Sequence, residues 1–249
     1  MAASPRWMTY FRFHLIFNLP VLVVLLALNW QRHYQGGEPT AFGFVLLAVM
    51  VFTTPWDNLA AKWGIWGFPR QKYSLRIGYL PVEEYAFFLL QSVNVMLLVR
   101  ALFLFFPKWL TGRETEIDTL TILYLVSSIP PWGVIAWQLW LLRKKKGPSV
   151  NYAIHLAWFL PVIYAQWVIA PLLFGYHAGF LTLVMTIFGV YYTIADVIAV
   201  RAGIWFFDEK QITGAKLNGI LPWEEIAFFF LTSLLVAQSY LLLLPSHLR

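Results

Sequence analysis

Two pairs of adjacent glutamates are the residues of this sequence best suited to acid–base chemistry. The segment GYLPVEEYAFF (78–88) contains Glu83 and Glu84, and GILPWEEIAFF (219–229) contains Glu224 and Glu225. Both pairs follow a proline and precede a long apolar run, which places them where a helix enters a membrane. An apolar surface and a second carboxylate nearby both favour the neutral form of a carboxyl group, whereas the helix dipole opposes both effects. If burial wins, each pair has a protonated glutamate beside an ionised one, which is an acid–base pair.

A simpler interpretation treats the glutamates as ordinary first-turn residues. Pro81 and Pro222 suit the start of a helix, and carboxylates just after them interact favourably with the positive end of the helix dipole. That interpretation explains one acidic residue per helix. Adjacent residues of a helix lie about 100° apart and so serve different faces, and a charge inside a bilayer costs about 2.5–3.5 kcal/mol on insertion scales. The duplicated pairs therefore favour a chemical role.

Other polar and aromatic residues recur in both halves. Asp57 and Asp196, at the ends of the second and sixth apolar runs, could hold a catalytic glutamate, take a proton themselves, or merely pair with Lys62 and Arg201. His14 and His155 lie one turn inside the first and fifth apolar runs. They could relay a proton, contact the substrate or serve only in packing. Aromatic faces stabilise a cation without offering a nucleophile. The candidates for substrate contact are His14, His155, Trp66, Trp205, Phe87, Phe88, Phe228 and Phe229.

The composition indicates an integral membrane protein. The 249 residues are 60% hydrophobic and 12% charged, with a mean hydropathy of +0.66, whereas soluble domains have about 45–50% apolar and about 25% charged residues. The absence of cysteine excludes disulfides, cysteine zinc sites and thiol nucleophiles. No glycine-rich dinucleotide or Walker segment is present, so we expect neither a metal nor a cofactor. The net charge of +6 is typical of membrane topology and anionic headgroups rather than nucleic-acid binding.

Seven apolar runs are long enough to span a bilayer, which needs about 20 residues. They lie near residues 10–30, 40–61, 81–106, 118–142, 151–174, 177–200 and 221–245. Most of the lysines and arginines, including the RKKKG run (143–147), fall in the loops on the N-terminal side. The positive-inside rule then predicts a cell-membrane protein with a cytoplasmic N-terminus and an external C-terminus.

The two halves of the chain are copies of one unit. HLIFNLPV (14–21) matches HLAWFLPV (155–162), and TPWDNLAAKWGIWGF (54–68) matches TIADVIAVRAGIWFF (193–207). We predict an all-α polytopic membrane protein with seven transmembrane helices, a tandem parallel repeat of helices 1–3 and 5–7 joined by helix 4. The domains are residues 1–110, 111–147 and 148–249. Equivalent helices are four apart, which is an even number, so the two copies have the same orientation in the membrane. Both acidic pairs are therefore expected on the cytoplasmic side.

The Pro-x-Glu-Glu motifs, with the TPWDN, GIW and HLxxxLP segments, resemble the membrane-integral lycopene cyclases of carotenoid biosynthesis over nearly the whole chain. The resemblance implies a fused two-unit isomerase, a lycopene beta-cyclase of the intramolecular lyase type. It implies cyclisation of lycopene through γ-carotene to β-carotene without a cofactor and without net redox change. Carotenoids and membrane lipid are the expected partners, and association with other carotenoid enzymes is a further expectation. TPWDN becomes TIADV in the second copy, which predicts unequal roles for the halves.

Other functions fit part of the pattern. A proton-coupled transporter would use intramembrane acids in a repeat, but transporters usually break helices at the midplane, whereas these acids cluster at one boundary. A seven-helix photoreceptor needs a lysine in its last span, and residues 221–245 contain none. A carotenoid binder would need no duplicated acids. Within carotenoid chemistry, the sequence does not distinguish a C40 from a C50 substrate, nor a β ring from an ε or a γ ring as the product.

Overall fold

The computed structural model of the chain describes residues 8–30, 33–34, 36–106 and 151–245. In that part of the chain, six helices are long and apolar enough to cross a membrane. They confirm six of the seven predicted runs. The seventh, near residues 118–142, lies outside the described residues, as do the RKKKG run and the expected linker 111–147. The helices are α1 (Tyr10–Asn29), α2 (Glu38–Trp63), α3 (Val82–Phe105), α4 (Asn151–Ile169), the short α5 (Pro171–Tyr176), α6 (Ala178–Arg201) and α7 (Trp223–Leu243).

Helix α3 lies at the centre of the bundle and packs against α1, α2, α6 and α7. Of its most apolar window 67% is buried, against 17% for α2, so within the described residues α3 is the more enclosed of the two helices. Gln91 of α3 donates from Nε2 to Thr232 Oγ1 of α7 at 3.0 Å, which joins the two helices that begin with the acidic pairs. The acidic ends of α3 and α7 are therefore held side by side.

A proline makes both α1 and α4 irregular one turn inside the helix. Before Pro20 the backbone of α1 takes the π form over His14–Asn18, and before Pro161 the α4 helix is interrupted between Leu156 and Phe159. The proline ring clashes with the carbonyl of the fourth preceding residue, so the turn before it cannot keep regular α geometry. The chain enters both helices by equivalent turns.

Short strands fold the connections after α2 and α6 over the acidic ends of the helices. They form three antiparallel pairs, which are β1 (Trp66–Gly67) with β4 (Phe206–Phe207), β2 (Arg76–Ile77) with β3 (Leu80–Pro81), and β5 (Lys216–Leu217) with β6 (Leu221–Pro222). The β1–β4 pair joins the two halves, with Trp66 opposite Phe207. A Cβ at Gly67 would lie 2.7 Å from the Phe206 ring, so that ring would have to move to make room for a larger residue.

The loop after α6 is also tied to the end of α2. The Asp208 N–H donates to the Ile65 carbonyl at 2.9 Å, and Gln211 Nε2 donates to the Trp63 carbonyl at 3.0 Å. Asp208 lies outside the spans, and a hydrogen bond from the Lys210 N–H keeps the pKa of its carboxyl below the usual value. These hydrogen bonds connect the loop of the second half to the end of α2 in the first half, and so hold the loops in place over the acidic ends of the helices.

A buried ion pair joins four helices at the opposite end of the bundle. Arg100 Nε lies 2.7 Å from Glu38 Oε1, and both side chains are 1% exposed. Asn29 Oδ1 accepts from Arg100 at 3.2 Å, and the Tyr240 hydroxyl donates to Glu38 at 3.0 Å. Removing one partner of such a pair leaves a buried charge and costs about 3–5 kcal/mol. The pair therefore anchors α1, α2, α3 and α7 far from the acidic motifs.

Candidate functional site

One cavity lies under the cover formed by β1 and β4, at the acidic ends of α3 and α7. Its free volume is about 40 Å³, room for one or two water molecules. Three carboxylic side chains and ten other side chains line it. They are Asp57, Glu84, Glu225, Tyr10, Trp56, Trp66, Phe68, Phe87, Tyr152, Trp205, Phe207, Phe228 and Phe229.

Glu84 and Asp57 form a carboxyl pair in the first half. The Tyr10 hydroxyl donates to Glu84 Oε2 at 2.7 Å, and the carboxyl groups of Asp57 and Glu84 both line the cavity. Trp66 Nε1 donates to Asp57 Oδ1 at 2.7 Å. Two carboxyl groups buried near each other can share one proton, which avoids placing two negative charges side by side.

The second half repeats these contacts with one difference. The Tyr152 hydroxyl donates to Glu225 Oε2, and Trp205 Nε1 donates to Asp196 Oδ1 at 2.6 Å. Asp196 Oδ2 is buried without a hydrogen-bond partner among the described residues. The cavity is lined by both carboxyl groups of the first half, Asp57 and Glu84, but in the second half by Glu225 without Asp196.

The first glutamate of each pair faces the loop instead of the cavity. Glu83 Oε1 accepts from the backbone N–H and the hydroxyl of Ser74, both at 2.8 Å. Glu224 Oε1 accepts from the Thr213 N–H at 2.5 Å. Both glutamates thus bind the segment that precedes their own helix. The two members of each pair have different surroundings, as their separation around the helix requires.

The aspartates are not paired with the basic residues that follow them in sequence. Asp57 is 3% exposed and Asp196 is 1% exposed, whereas Lys62 and Arg201 are exposed. Within the described ranges, the ion pairs are Glu38–Arg100 and Glu209–Lys216. Simple surface pairing therefore does not account for the aspartates.

Both histidines lie behind the cavity wall and bond to groups other than carboxyls. His14 Nε2 lies 2.9 Å from the Glu83 carbonyl oxygen and Nδ1 lies 2.9 Å from Asn18 Nδ2. The carbonyl can only accept, so Nε2 carries the hydrogen and Nδ1 accepts from the amide. His155 Nε2 lies 2.8 Å from the Trp56 carbonyl oxygen, and its ring stacks on that indole at 4.4 Å. These contacts position the wall of the cavity.

Five of the predicted aromatic residues line the cavity, and Phe88 does not. Phe88 is buried against Tyr85, with ring centroids 6.1 Å apart. The sequence interpretation missed Tyr10 and Tyr152, although each lies about one turn before the histidine of its half, and it did not assign Trp56, Phe68 or Phe207. The five predicted residues in the lining are Trp66, Trp205, Phe87, Phe228 and Phe229.

Trp56 makes the two sides of the cavity unequal. Its indole lies parallel to the Phe228 ring at 5.7 Å and is also stacked on His155. The matching position of the second half is Ala195, which is buried and offers no ring. In the described ranges, no group of three or more histidine or acidic side chains is suited to hold a metal ion.

The fold is a helical bundle with six candidate membrane spans, and carboxyl and aromatic side chains meet in one cavity inside it. The family model of lycopene cyclase matches residues 5–106 and 148–243. The chain therefore belongs to the lycopene cyclase family.

Curated relatives share the family over most of this chain. The lycopene beta-cyclase of Halobacterium salinarum is 28% identical over 90% of this chain and 90% of its own length. The bifunctional lycopene cyclase/phytoene synthase of Sporisorium reilianum is 28% identical over 93% of this chain and 34% of its own length, and that of Blakeslea trispora is 28% identical over 90% and 37%. The chain thus spans about a third of the two fungal proteins. No solved structure matches the chain.

Proposed function

We propose that this protein is a lycopene cyclase that closes the linear ends of lycopene into β-ionone rings, through γ-carotene to β-carotene. The observation that supports this most directly is the meeting of Asp57, Glu84 and Glu225 in one aromatic cavity inside the bundle. The substrate is a hydrocarbon that dissolves in the bilayer, and an acid buried among aromatic rings in a membrane-spanning bundle suits the protonation of such a molecule. The Halobacterium relative, named a lycopene beta-cyclase, supports the β ring.

The reaction needs one acid, one base and a surface that tolerates a cation. Protonation of the terminal double bond of lycopene gives a tertiary carbocation, which an internal double bond attacks to close a six-membered ring. Loss of a neighbouring proton then leaves the ring double bond, so one proton enters, one leaves and no electrons are exchanged. Aromatic faces stabilise the cation between these steps. The cavity offers indole and phenyl faces on several sides.

The unequal carboxyl pairs suggest which half supplies the acid. In the first half Asp57 lines the cavity together with Glu84 and can resupply its proton, so we assign Glu84 as the group that protonates the alkene. In the second half Glu225 lines the cavity without Asp196, and we assign Glu225, which accepts from the Tyr152 hydroxyl, as the group that removes the proton. Glu84 and Glu225 lie near enough to interact electrostatically, so the proton can return to the first pair. Asp196 orients Trp205 in the wall.

Glu83 and Glu224 serve a different purpose in this proposal. Their bonds to Ser74 and Thr213 fix the loops that lead into α3 and α7. That fixes the rotation of each helix, and the following glutamate then faces the cavity. His14, bonded to the Glu83 carbonyl, supports the same helix start.

The matched contacts of the two halves support a tandem parallel repeat of residues 1–110 and 148–249, joined by a spanning helix in 111–147. We place the N-terminus in the cytoplasm and the C-terminus outside the cell membrane. Reporters fused to the two termini are expected to be active on opposite sides. Two reporters on the same side would contradict seven spans. The fungal relatives, whose names combine the cyclase with a phytoene synthase, support association with other enzymes of carotenoid synthesis.

Expression of the full chain in a lycopene-accumulating bacterium tests the proposed activity. We expect β-carotene, with γ-carotene as the one-ring intermediate, identified by chromatography and absorption spectra. The control is the double variant Glu84→Gln, Glu225→Gln, which should leave lycopene unchanged at the same membrane level. Unchanged lycopene with the inserted wild-type protein would contradict the proposal, and products formed from a C50 carotenoid alone would redirect it.

A further inference from the structure

Two buried tyrosines hold the two cavity glutamates. Tyr10 begins α1 and Tyr152 lies in the first turn of α4, and each is 1% exposed. The Tyr10 hydroxyl donates to Glu84 Oε2 at 2.7 Å, and the Tyr152 hydroxyl donates to Glu225 Oε2. Each bond joins the first helix of a half to the third, and both bonds use the same carboxyl oxygen.

The direction of these bonds stays the same in both states of the glutamate. A phenol is a much weaker acid than a carboxyl group, so tyrosine keeps its proton and remains the donor. When the glutamate is ionised, the hydroxyl stabilises the carboxylate. When the glutamate is protonated, the buried hydroxyl still needs an acceptor, and Oε2 is the acceptor that it has among the described residues. The bond is kept when the proton lies on the other oxygen, Oε1, so the tyrosine favours that position.

Each tyrosine ring is held in place by the opposite half of the molecule. The Tyr10 ring lies 5.0 Å from the Trp205 ring, and the Tyr152 ring lies 5.0 Å from the Trp66 ring. Those tryptophans hold the aspartates of their own halves. Tyr10 is stacked on His14 as well, at 5.0 Å. A shift of the tryptophan in one half would therefore alter the packing of the tyrosine in the other half.

We propose that Tyr10 and Tyr152 are positioning residues that keep Oε2 of Glu84 and Glu225 as a permanent acceptor, so that the catalytic proton is carried on Oε1. The inference rests on the proposed cyclisation. In the first half it leaves Oε1 of Glu84 for the proton that goes to the alkene. In the second half it leaves Oε1 of Glu225 free to take the proton from the ring. The tyrosines do not touch the reacting carbons in this proposal.

The groups that face the two carboxyls limit how the pH dependence can be interpreted. Glu84 faces Tyr10 of α1, Asp57 of α2, Asp196 of α6, Glu83 of its own helix and Glu225 of α7. Glu225 likewise faces Tyr152 of α4, Asp57 of α2, Asp196 of α6, Glu224 of its own helix and Glu84 of α3. None of these neighbours is cationic, so the tyrosine hydroxyl is a main stabiliser of each ionised carboxylate.

The test is the pH profile of lycopene cyclisation by the full chain in lipid vesicles. Loss of the tyrosine hydroxyl destabilises the ionised form of the glutamate that it binds. In Tyr10→Phe the acid therefore stays protonated to higher pH. The alkaline limb of the pH–rate profile should shift to higher pH by about one to two units. In Tyr152→Phe the base is harder to ionise, so the acid limb of the profile should shift to higher pH by a similar amount. Turnover at the wild-type optimum should fall about 10–100-fold in each.

Tyr240→Phe is the matched control, because Tyr240 makes the same phenol-to-glutamate bond to Glu38 at the far end of the bundle. It should lose thermal stability without moving either limb. Should Tyr10→Phe fail to fold, 3,5-difluorotyrosine at position 10 keeps the ring and strengthens the donor, so the alkaline limb should move to lower pH. Profiles that coincide with the wild type would overturn the positioning role, whereas no wild-type product at all would contradict the cyclase activity itself.

Discussion

Replacing Glu84 or Glu225 by glutamine is expected to lower turnover about 10²–10⁴-fold, the usual contribution of a general acid or base. Glutamine keeps the size of the side chain, and its carbonyl oxygen can still accept from Tyr10 or Tyr152. It has no proton to donate to an alkene and no carboxylate to remove one. The measurement is the initial rate of lycopene loss in membranes that contain equal amounts of each variant.

Glu83→Gln and Glu224→Gln provide the matched controls within the same motifs. Their Oε1 atoms accept hydrogen bonds from Ser74 and Thr213, a role that a glutamine oxygen can keep. We expect less than about a tenfold loss, with a small decrease in thermal stability, because a neutral acceptor binds more weakly than a charged one. Equal losses at both members of a pair would contradict the division between cavity and loop, and full activity of both cavity variants would favour ordinary first-turn residues.

The sequence allowed the position of the site to be predicted but not the assignment within each pair. Long apolar runs locate the helices, and the repeated Pro-x-Glu-Glu motif locates the acids at one membrane boundary. Helical geometry then shows that Glu83 and Glu84 serve different faces. Which face meets the cavity depends on how residues 64–81 fold back, since Ser74 captures Glu83 from the loop. That contact has no local signal in the sequence.

The tyrosines were missed for a related reason. The chain has 12 tyrosines, and aromatic residues near a membrane boundary are common for reasons unrelated to a site. Tyr10 becomes a partner of Glu84 only when α1 packs against α3. Similarly, Trp66 and Trp205 were predicted as faces for a ligand, but their indole N–H groups also hold Asp57 and Asp196. Tertiary packing gives these side chains a second role.

The two halves contribute different parts to a single cavity. Tyr10, Asp57 and Glu84 come from the first half, and Tyr152 and Glu225 come from the second. Asp57 lines the cavity in the first half, whereas its counterpart Asp196 does not line it in the second, and the ring of Trp56 is replaced by Ala195. An acid in one half and a base in the other would make each half necessary for turnover.

Separation of the chain into residues 1–147 and 148–249 is therefore expected to give two pieces that are inactive alone and active when co-expressed. The break after Gly147 lies outside the described residues and in a basic loop of the predicted topology. Reassembly is favoured by the contacts between the halves, among them the β1–β4 pair and the Gln91–Thr232 bond. Carotenoids extracted from a lycopene-accumulating bacterium provide the measurement, with the membrane level of each piece as the reference.

Point variants in the separated pieces make this test decisive. The first piece with Glu84→Gln, co-expressed with the intact second piece, should leave lycopene uncyclised, as should an intact first piece with Glu225→Gln in the second. Mixing the two altered pieces should also fail, because the acid and the base then lack their functions in one shared cavity. Cyclisation by residues 1–147 alone would show that one half contains a complete site, and the shared cavity would then have to be abandoned.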